Sequence, residues 1–272
     1  MTQHRPSIDP WLLVSIGLPV DTARELGERM SWQRLPRGAL LGRRGEPPDH
    51  WGLVHSGLVG SAVALRTDWS DAAAAEGESR VAQLYGRGAW FGEAALVEAA
   101  PRPVEYRTLA PSLVGFMTAG DFRTALDQHP LFARFVLNLV SHRAARTLQW
   151  LLALKHASPA GRIVWTLAQL SESLDEGSAW SPAPALSQQI EVGVGQADLA
   201  HACDVSRRLL NGVLHALQGA GLLQVSYGRI TLAPGEAWRR LGLRLRSSEV
   251  FEGELPLAAF IELLTGDGLA PR

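Results

Sequence analysis

The stretch Gly195-Gln196-Ala197-Asp198-Leu199-Ala200-His201-Ala202-Cys203-Asp204-Val205-Ser206-Arg207-Arg208-Leu209-Leu210-Asn211-Gly212-Val213-Leu214-His215-Ala216-Leu217 scans as helix, tight turn, helix. Asp198, Leu199 and Ala202 fall on the first helix, and Asp204 sits where the turn calls for a left-handed residue, which Asp tolerates. Ser206 is a suitable N-cap for the second helix. There Leu210, Val213, Leu214 and Leu217 follow the i, i+3, i+4, i+7 pattern of a buried face. The opposite arc carries Arg207, Arg208, Asn211, Gly212, His215 and Gln218. Arg pairs with guanine edges and Asn or Gln with adenine edges, so an arc of these side chains at a helix N-terminus points to major-groove readout. Gln196 opens the first helix and joins Ser206, Arg207, Arg208, Asn211 and His215 as a candidate DNA contact. A helical hairpin with a merely solvated polar face is the alternative. Cys203 is expected to pack between the two helices as a small hydrophobe.

Downstream, Gly219-Ala220-Gly221 reads as a helix stop, and Leu222 to Leu232 as two strands turning at Tyr227-Gly228. This wing could place Arg229 against a phosphate. Arg239, Arg240, Arg244 and Arg246 then form a basic stretch, and Leu255 to Leu264 a short amphipathic helix, expected to pack.

Upstream, Asp121 can cap a helical turn and Pro130 starts a segment that runs without Gly or Pro until Pro159, a long helix. Ala133, Leu137, Val140, Ala144, Thr147, Leu151 and Leu154 recur along it at spacings of three and four, a coiled-coil seam. A second stripe of Phe132, Phe135, Val136, Leu139, Leu148 and Leu152 lies to the side. One stripe covering the chain's own body while the other meets a partner helix predicts a two-fold homodimer; one broad face buried within the monomer is the alternative. Residues 131–170 hold Arg134, Arg143, Arg146, Lys155 and Arg162 and no acid, which suggests a nearby phosphate or DNA backbone, or a solvated face. A helix is expected from Gly161 to about Ser173, with Asp175 to Pro184 a polar connection.

From Arg34 to Phe116 short apolar segments alternate with glycines, the text of short strands and tight turns, and Pro47-Pro48-Asp49 is a turn by composition. A β-roll is expected, with Arg66 to Arg80 an exposed loop between two hairpin strands. With 26 Lys+Arg against 27 Asp+Glu in 272 residues, bulk cationic binding of nucleic acid is excluded and any DNA contact must be local. One cysteine rules out an intrachain disulfide and a Cys-ligated iron–sulfur cluster. Neither a signal-peptide pattern in Met1 to Pro10 nor a membrane-length apolar run is found, so the expected site is the cytoplasm with no membrane partner. No nucleophile elbow, P-loop or metal-ligand spacing marks an enzyme.

Three blocks in order, Gly88-Ala89-Trp90-Phe91-Gly92-Glu93-Ala94-Ala95-Leu96 followed by Pro101-Arg102-Pro103, the long helix ending near Gly161-Arg162-Ile163, and the winged helix with Val205-Ser206-Arg207, resemble the Crp/Fnr superfamily of bacterial transcription regulators. The resemblance spans Arg34 to Leu232. It implies an α+β chain: a jelly-roll-like cyclic-nucleotide-binding β-roll at 1–130, a dimerisation helix at 131–160, a winged helix-turn-helix at 161–240 and an extension at 241–272. It implies a homodimer on duplex DNA that works with RNA polymerase. In cyclic-nucleotide receptors the block's Glu holds the ribose hydroxyl and the cassette Arg the cyclic phosphate, positions matched by Glu93 after Gly92 and by Arg102, while Arg143 and Thr147 match helix residues that reach the ligand. Pro103 departs from that pattern, lacking the N–H and hydroxyl that bind phosphate, and Leu148 replaces a serine that reaches across the dimer, so the resemblance argues against tight cAMP binding. An internal ion pair is the alternative role for Glu93 and Arg102. Haem-sensing relatives make His50, His55 and His142 candidate ligands by region. On the recognition helix Arg208 and Gly212 differ from the cAMP-receptor type, so another half-site is expected. A nucleotide-binding or protein-docking module that never touches a duplex is the second functional reading.

Overall fold

In a computed structural model, the structure describes residues 18–64, 79–179, 189–246 and 255–266. Helix α1 (Val20–Glu28) precedes two four-stranded antiparallel sheets. One has the order β1 (Ser31–Leu35), β8 (Ser112–Thr118), β3 (His50–Ser56), β6 (Trp90–Phe91). The other runs β2 (Leu40–Gly42), β7 (Glu105–Thr108), β4 (Val59–Ala64), β5 (Ser79–Tyr85). This is the expected β-roll, and β4 and β5 form the expected hairpin, whose connection at 65–78 lies outside the described residues.

Strand β3 is buried on both faces, and the two-residue period of a strand divides its side chains between two cores. Val54 points between the sheets with Leu41, Val59, Tyr85, Phe91, Tyr106 and Val114. Trp51 and Leu53 point the other way, onto α1 and the helices after β8. Trp51 stacks on Trp90 with centroids 3.9 Å apart. Between them Gly52 has no alternative, because a Cβ there would lie 2.1 Å from the Phe91 ring. Two local expectations are corrected. The turn before β3 is made at Arg44-Gly45, with Gly45 at φ +83°, and Pro47-Pro48-Asp49 is the link into the strand. Helix α3 (Ala119–Gln128) is capped by Thr118 rather than Asp121: the Thr118 hydroxyl accepts from the Asp121 N–H at 3.1 Å and donates to the Asp121 carboxylate at 2.7 Å.

Helix α4 (Pro130–His156) starts at its proline, as expected. Phe132 and Val136 are buried against the roll, with Phe135, Leu139 and Val140 beside them. Leu137, Leu148 and Leu151 stay 64%, 59% and 50% exposed, so one broad face buried within the monomer is ruled out. The open stripe is Leu137, Ala144, Leu148 and Leu151: Leu148 joins it from the second stripe, and Val140 turns toward the roll. No helix among the described residues is long and apolar enough to cross a membrane.

The C-terminal part opens with α5 (Pro159–Ala179), longer than the expected end near Ser173. Next come β9 (Ile190–Val192), α6 (Gln196–Ala202), α7 (Arg207–Gly219), β10 (Leu223–Ser226) and β11 (Arg229–Leu232). β10 and β11 form the expected hairpin, turning at Tyr227-Gly228, and β9 adds a third strand along β11 that sequence reading did not foresee. Helix α8 (Gly235–Arg246) buries Ala237, Trp238, Leu241 and Leu245 in the same core, and the Trp238 indole donates to the Leu222 carbonyl at 2.9 Å. α9 (Leu257–Thr265) buries Phe260 and Leu264, so the C-terminal helix packs as expected. Leu58, Val81 and Leu109 of the roll belong to the winged-helix core cluster, and Arg37 pairs with Asp198 at 3.1 Å, so the two parts share a packed seam.

Candidate functional site

The helix-turn-helix is assembled by local rules. Helix α6 ends at Cys203, and Asp204 takes the left-handed conformation at φ +51° that the turn requires. Arg162 of α5 fixes this turn by donating to the Cys203 carbonyl at 3.1 Å and the Asp204 carbonyl at 2.8 Å. The one-signed stretch 131–170 therefore turns part of its charge inward, since Arg162 serves the turn and Arg143 the roll. Ser206 caps α7, its hydroxyl accepting from the Leu209 N–H at 3.3 Å. Leu210, Val213, Leu214 and Leu217 are the buried face, and Arg207, Arg208, Asn211 and His215 are all exposed on the other side. Gln196 is half-buried at the start of α6. Gln218 is turned toward the wing, where its amide oxygen accepts from the Val225 N–H at 3.1 Å. Arg229 pairs with Glu191 of β9 at 3.1 Å, so the wing arginine is engaged within the sheet rather than held out alone. Tyr227 is fully exposed at the tip of the β10–β11 hairpin. Cys203 is buried between the helices, and burial pushes its thiol up to about 12.

The second site lies in the roll. Gly92 adopts φ +93° and launches α2 (Glu93–Glu98), whose first residue is completely buried. Arg143 of α4 donates one guanidinium nitrogen to Glu93 Oε1 and the other to the Trp90 carbonyl at 2.7 Å, with the Tyr85 ring 5.3 Å below it. Arg102, 2% exposed, donates Nη2 to Asp49 Oδ1 at 2.6 Å and lies against Gly42, where a Cβ would come within 2.8 Å of its Nε. Burial raises the Asp49 pKa, but the Arg102 hydrogen bond and the His50 charge outweigh it and the carboxyl titrates below its usual range. Burial also raises the Tyr106 hydroxyl, which lies near Tyr85, Arg143 and Glu93. Glu93 and Arg102 are thus each ion-paired, but with Arg143 and Asp49, not with one another. Thr147, one turn beyond Arg143, is exposed. Of the haem candidates, His50 Nδ1 is held 2.6 Å from Asp49, His55 packs edge-on to Trp32 at 5.6 Å, and His142 is exposed.

Besides His50 Nε2, two buried atoms here have no protein partner: Glu93 Oε2, an acceptor, and Arg102 Nη1, a charged donor close to Gly92. A hydroxyl and an anionic oxygen would satisfy them, and a cyclic nucleotide offers both on its ribose and phosphate. The residues present fit that class of ligand, with exposed Pro103 withholding the backbone N–H.

Comparison with known proteins agrees, since the family of cyclic nucleotide-binding domains matches residues 32–129. That stretch runs from β1 through α3 and includes the Glu93 and Arg102 site. Solved structures share the fold over about four fifths of the chain. FixK2 from Bradyrhizobium japonicum aligns with a TM-score of 0.59 at 13% identity, over 84% of this chain and 99% of its own. The c-di-GMP-responsive global regulator CLP of Xanthomonas campestris aligns at 0.56 and 22%, over 79% and 99%. A CRP/FNR-family transcriptional regulator from Thermus thermophilus aligns at 0.54 and 19%, over 78% and 98%. A search of curated proteins by sequence finds no match.

Proposed function

We propose that this chain is a homodimeric transcription regulator of the bacterial cytoplasm, not an enzyme, which reads duplex DNA with α7 and is gated by a small ligand in the cyclic nucleotide-binding domain. The observation that carries the reading is the arc of Arg207, Arg208, Asn211 and His215, exposed together on a capped helix whose opposite face is the domain core. Such an arc enters a major groove with its N-terminal residues leading, while Ser206, Gln196 and the wing at Arg229 supply backbone contacts. The open stripe on α4 supports the two-fold pairing, which sets two copies of α7 against half-sites about one helical turn apart. RNA polymerase is the partner this reading implies.

In the roll, Glu93 Oε2, Arg102 Nη1 and the backbone at Gly92 would hold the ligand, with Arg143 linking the cassette to the dimer helix and Thr147 facing the seam. The ligand supplies a negative charge and a hydroxyl. The chain's part is to hold Arg102 through Asp49 and to exclude water around Glu93.

The test is a binding titration of the full chain against duplexes enriched by in vitro selection, followed by fluorescence anisotropy over a salt series, with and without cyclic nucleotides. Phosphate neutralisation gives a log–log salt slope of about −0.9 per contact, so a steep decline is expected. The absence of any duplex binding at low salt, under every ligand condition, contradicts the reading and favours a protein-docking module.

A further inference from the structure

The seam between roll and winged helix contains a cleft of about 400 Å³ with walls from both sides. Arg80 of β5 lines it on the roll side, and His201, Asp204, Ser206 and Arg207 line it on the helix-turn-helix side. The juxtaposition is built in: Val81, next to Arg80, belongs to the winged-helix core, and the Arg37–Asp198 pair ties another corner of the roll to α6. Arg80 and Arg207 are both exposed, and among the described residues neither has an ion-pair partner, whereas Arg37 is matched by Asp198. Among the described residues that line the cleft Asp204 is the one acid, against the guanidinium groups of Arg80 and Arg207. Like charges held around one opening repel, and a bound anion relieves that repulsion.

We infer that Arg80 is a DNA-phosphate contact, so that the sensor roll itself contributes a cation to the surface that grips the duplex, beside the first residue of α7. The inference rests on the reading of α7 as the recognition helix. A reader of base edges is positioned by contacts to the flanking phosphates, and base readout is concentrated at the N-terminal end of such a helix. The phosphates bordering the groove then pass Arg207, which lines the same cleft as Arg80. Strand β5 also reaches the ligand site at its other end, because Tyr85 lies under the Arg143 guanidinium that holds Glu93. One strand therefore carries a residue at each of the two places, Arg80 at the cleft and Tyr85 at the cassette.

The experiment compares the full-length wild type with Arg80→Ala, Arg80→Lys and Arg207→Ala on a selected duplex and on a random duplex of equal length, across a salt series. Arg80→Ala is expected to weaken both duplexes by the same factor and to make the log–log slope shallower by about 0.9, the loss of one phosphate contact. Arg80→Lys, which keeps the charge, restores the slope, a result that a purely structural role for Arg80 at the seam would not give. If Arg207→Ala abolishes the preference for the selected duplex while Arg80→Ala leaves affinity and slope unchanged, the Arg80 contact is refuted and the regulator reading stands. If inorganic phosphate raises the thermal stability of the wild type but not of Arg80→Ala, and duplex binding is untouched, the cleft holds a free anion and the DNA contact is refuted. If the wild type binds no duplex, both readings fall together.

Discussion

Replacing Leu148 and Leu151 with alanine should separate the protomers without unfolding them. Both side chains are at least half exposed in the single chain, Leu148 at 59% and Leu151 at 50%. Fully burying a leucine is worth about 1.5–3 kcal/mol, so covering the exposed half of each against a partner helix contributes about 1 kcal/mol. The double substitution removes two leucines from each of two helices, about 4 kcal/mol per dimer, or roughly a thousandfold in the dissociation constant. Within the protomer the covered half of each leucine is worth about 1 kcal/mol by the same reckoning, so the double substitution should lower protomer stability by about 2 kcal/mol, short of unfolding it. Sedimentation velocity over a dilution series reads the association, and a thermal melt of the diluted variant reads the fold. A variant that sediments as the wild type at every concentration refutes the assignment of this stripe as the dimer seam. A variant that loses its folding transition shows instead that the stripe is covered within the protomer.

Arg143→Ala leaves the Glu93 carboxylate buried without its counter-charge, and should cost about 3–5 kcal/mol of stability, read as a lowered melting temperature. Glu93→Gln combined with Arg143→Ala should recover part of that loss, and equal loss in both would show that the pair is not the source. Burial, assisted by nearby arginines, holds His50 and His55 below the ordinary value of 6.5. The unfolded chain therefore takes up protons below that value before the native state does, and stability that is complete above it is lost as pH falls through the native values. The melting temperature should drop as pH falls below about 6.5, the ordinary histidine value, and less steeply in a His50→Gln, His55→Gln variant, whereas identical slopes would refute the attribution. With its thiol raised to about 12 and fully buried, Cys203 should resist a maleimide in the native protein and react on denaturation; rapid native labelling would contradict its packing.

What was legible in the sequence was what neighbouring residues decide among themselves. The apolar face at Leu210, Val213, Leu214 and Leu217, the cap at Ser206 and the left-handed Asp204 all follow from spacings of a few residues, and the structure has each as read. What stayed hidden was set by partners distant along the chain. Glu93 and Arg143 are fifty residues apart and meet only because α4 lies along the roll, and Arg102 finds Asp49 across a similar interval. Either arginine could be read from its motif as a ligand group, but the motif says nothing of the carboxylate that holds it. Strand β9 escaped because three residues, Ile190–Val192, carry too little periodicity, and their strand character comes from pairing with β11. The same pairing brings Glu191 to Arg229 and takes up part of the charge that the wing alone would present. Thr118 and Asp121 are both good capping residues, and only the backbone path out of β8 determines that Thr118 caps and Asp121 answers it. Arg80 lies at the edge of a segment with no pattern of its own, and its place beside Arg207 is a product of domain docking.

The most direct measurement is the ratio of affinities for a selected duplex over a random one, in the wild type and in Arg207→Ala. If α7 reads base edges, loss of one arginine contact costs about 1–3 kcal/mol on the selected site, roughly five- to more than a hundredfold, and much less on random sequence, so the ratio collapses. A ratio that stays constant while both affinities fall together would mean that Arg207 touches only phosphate, and the claim that this helix reads sequence would be contradicted.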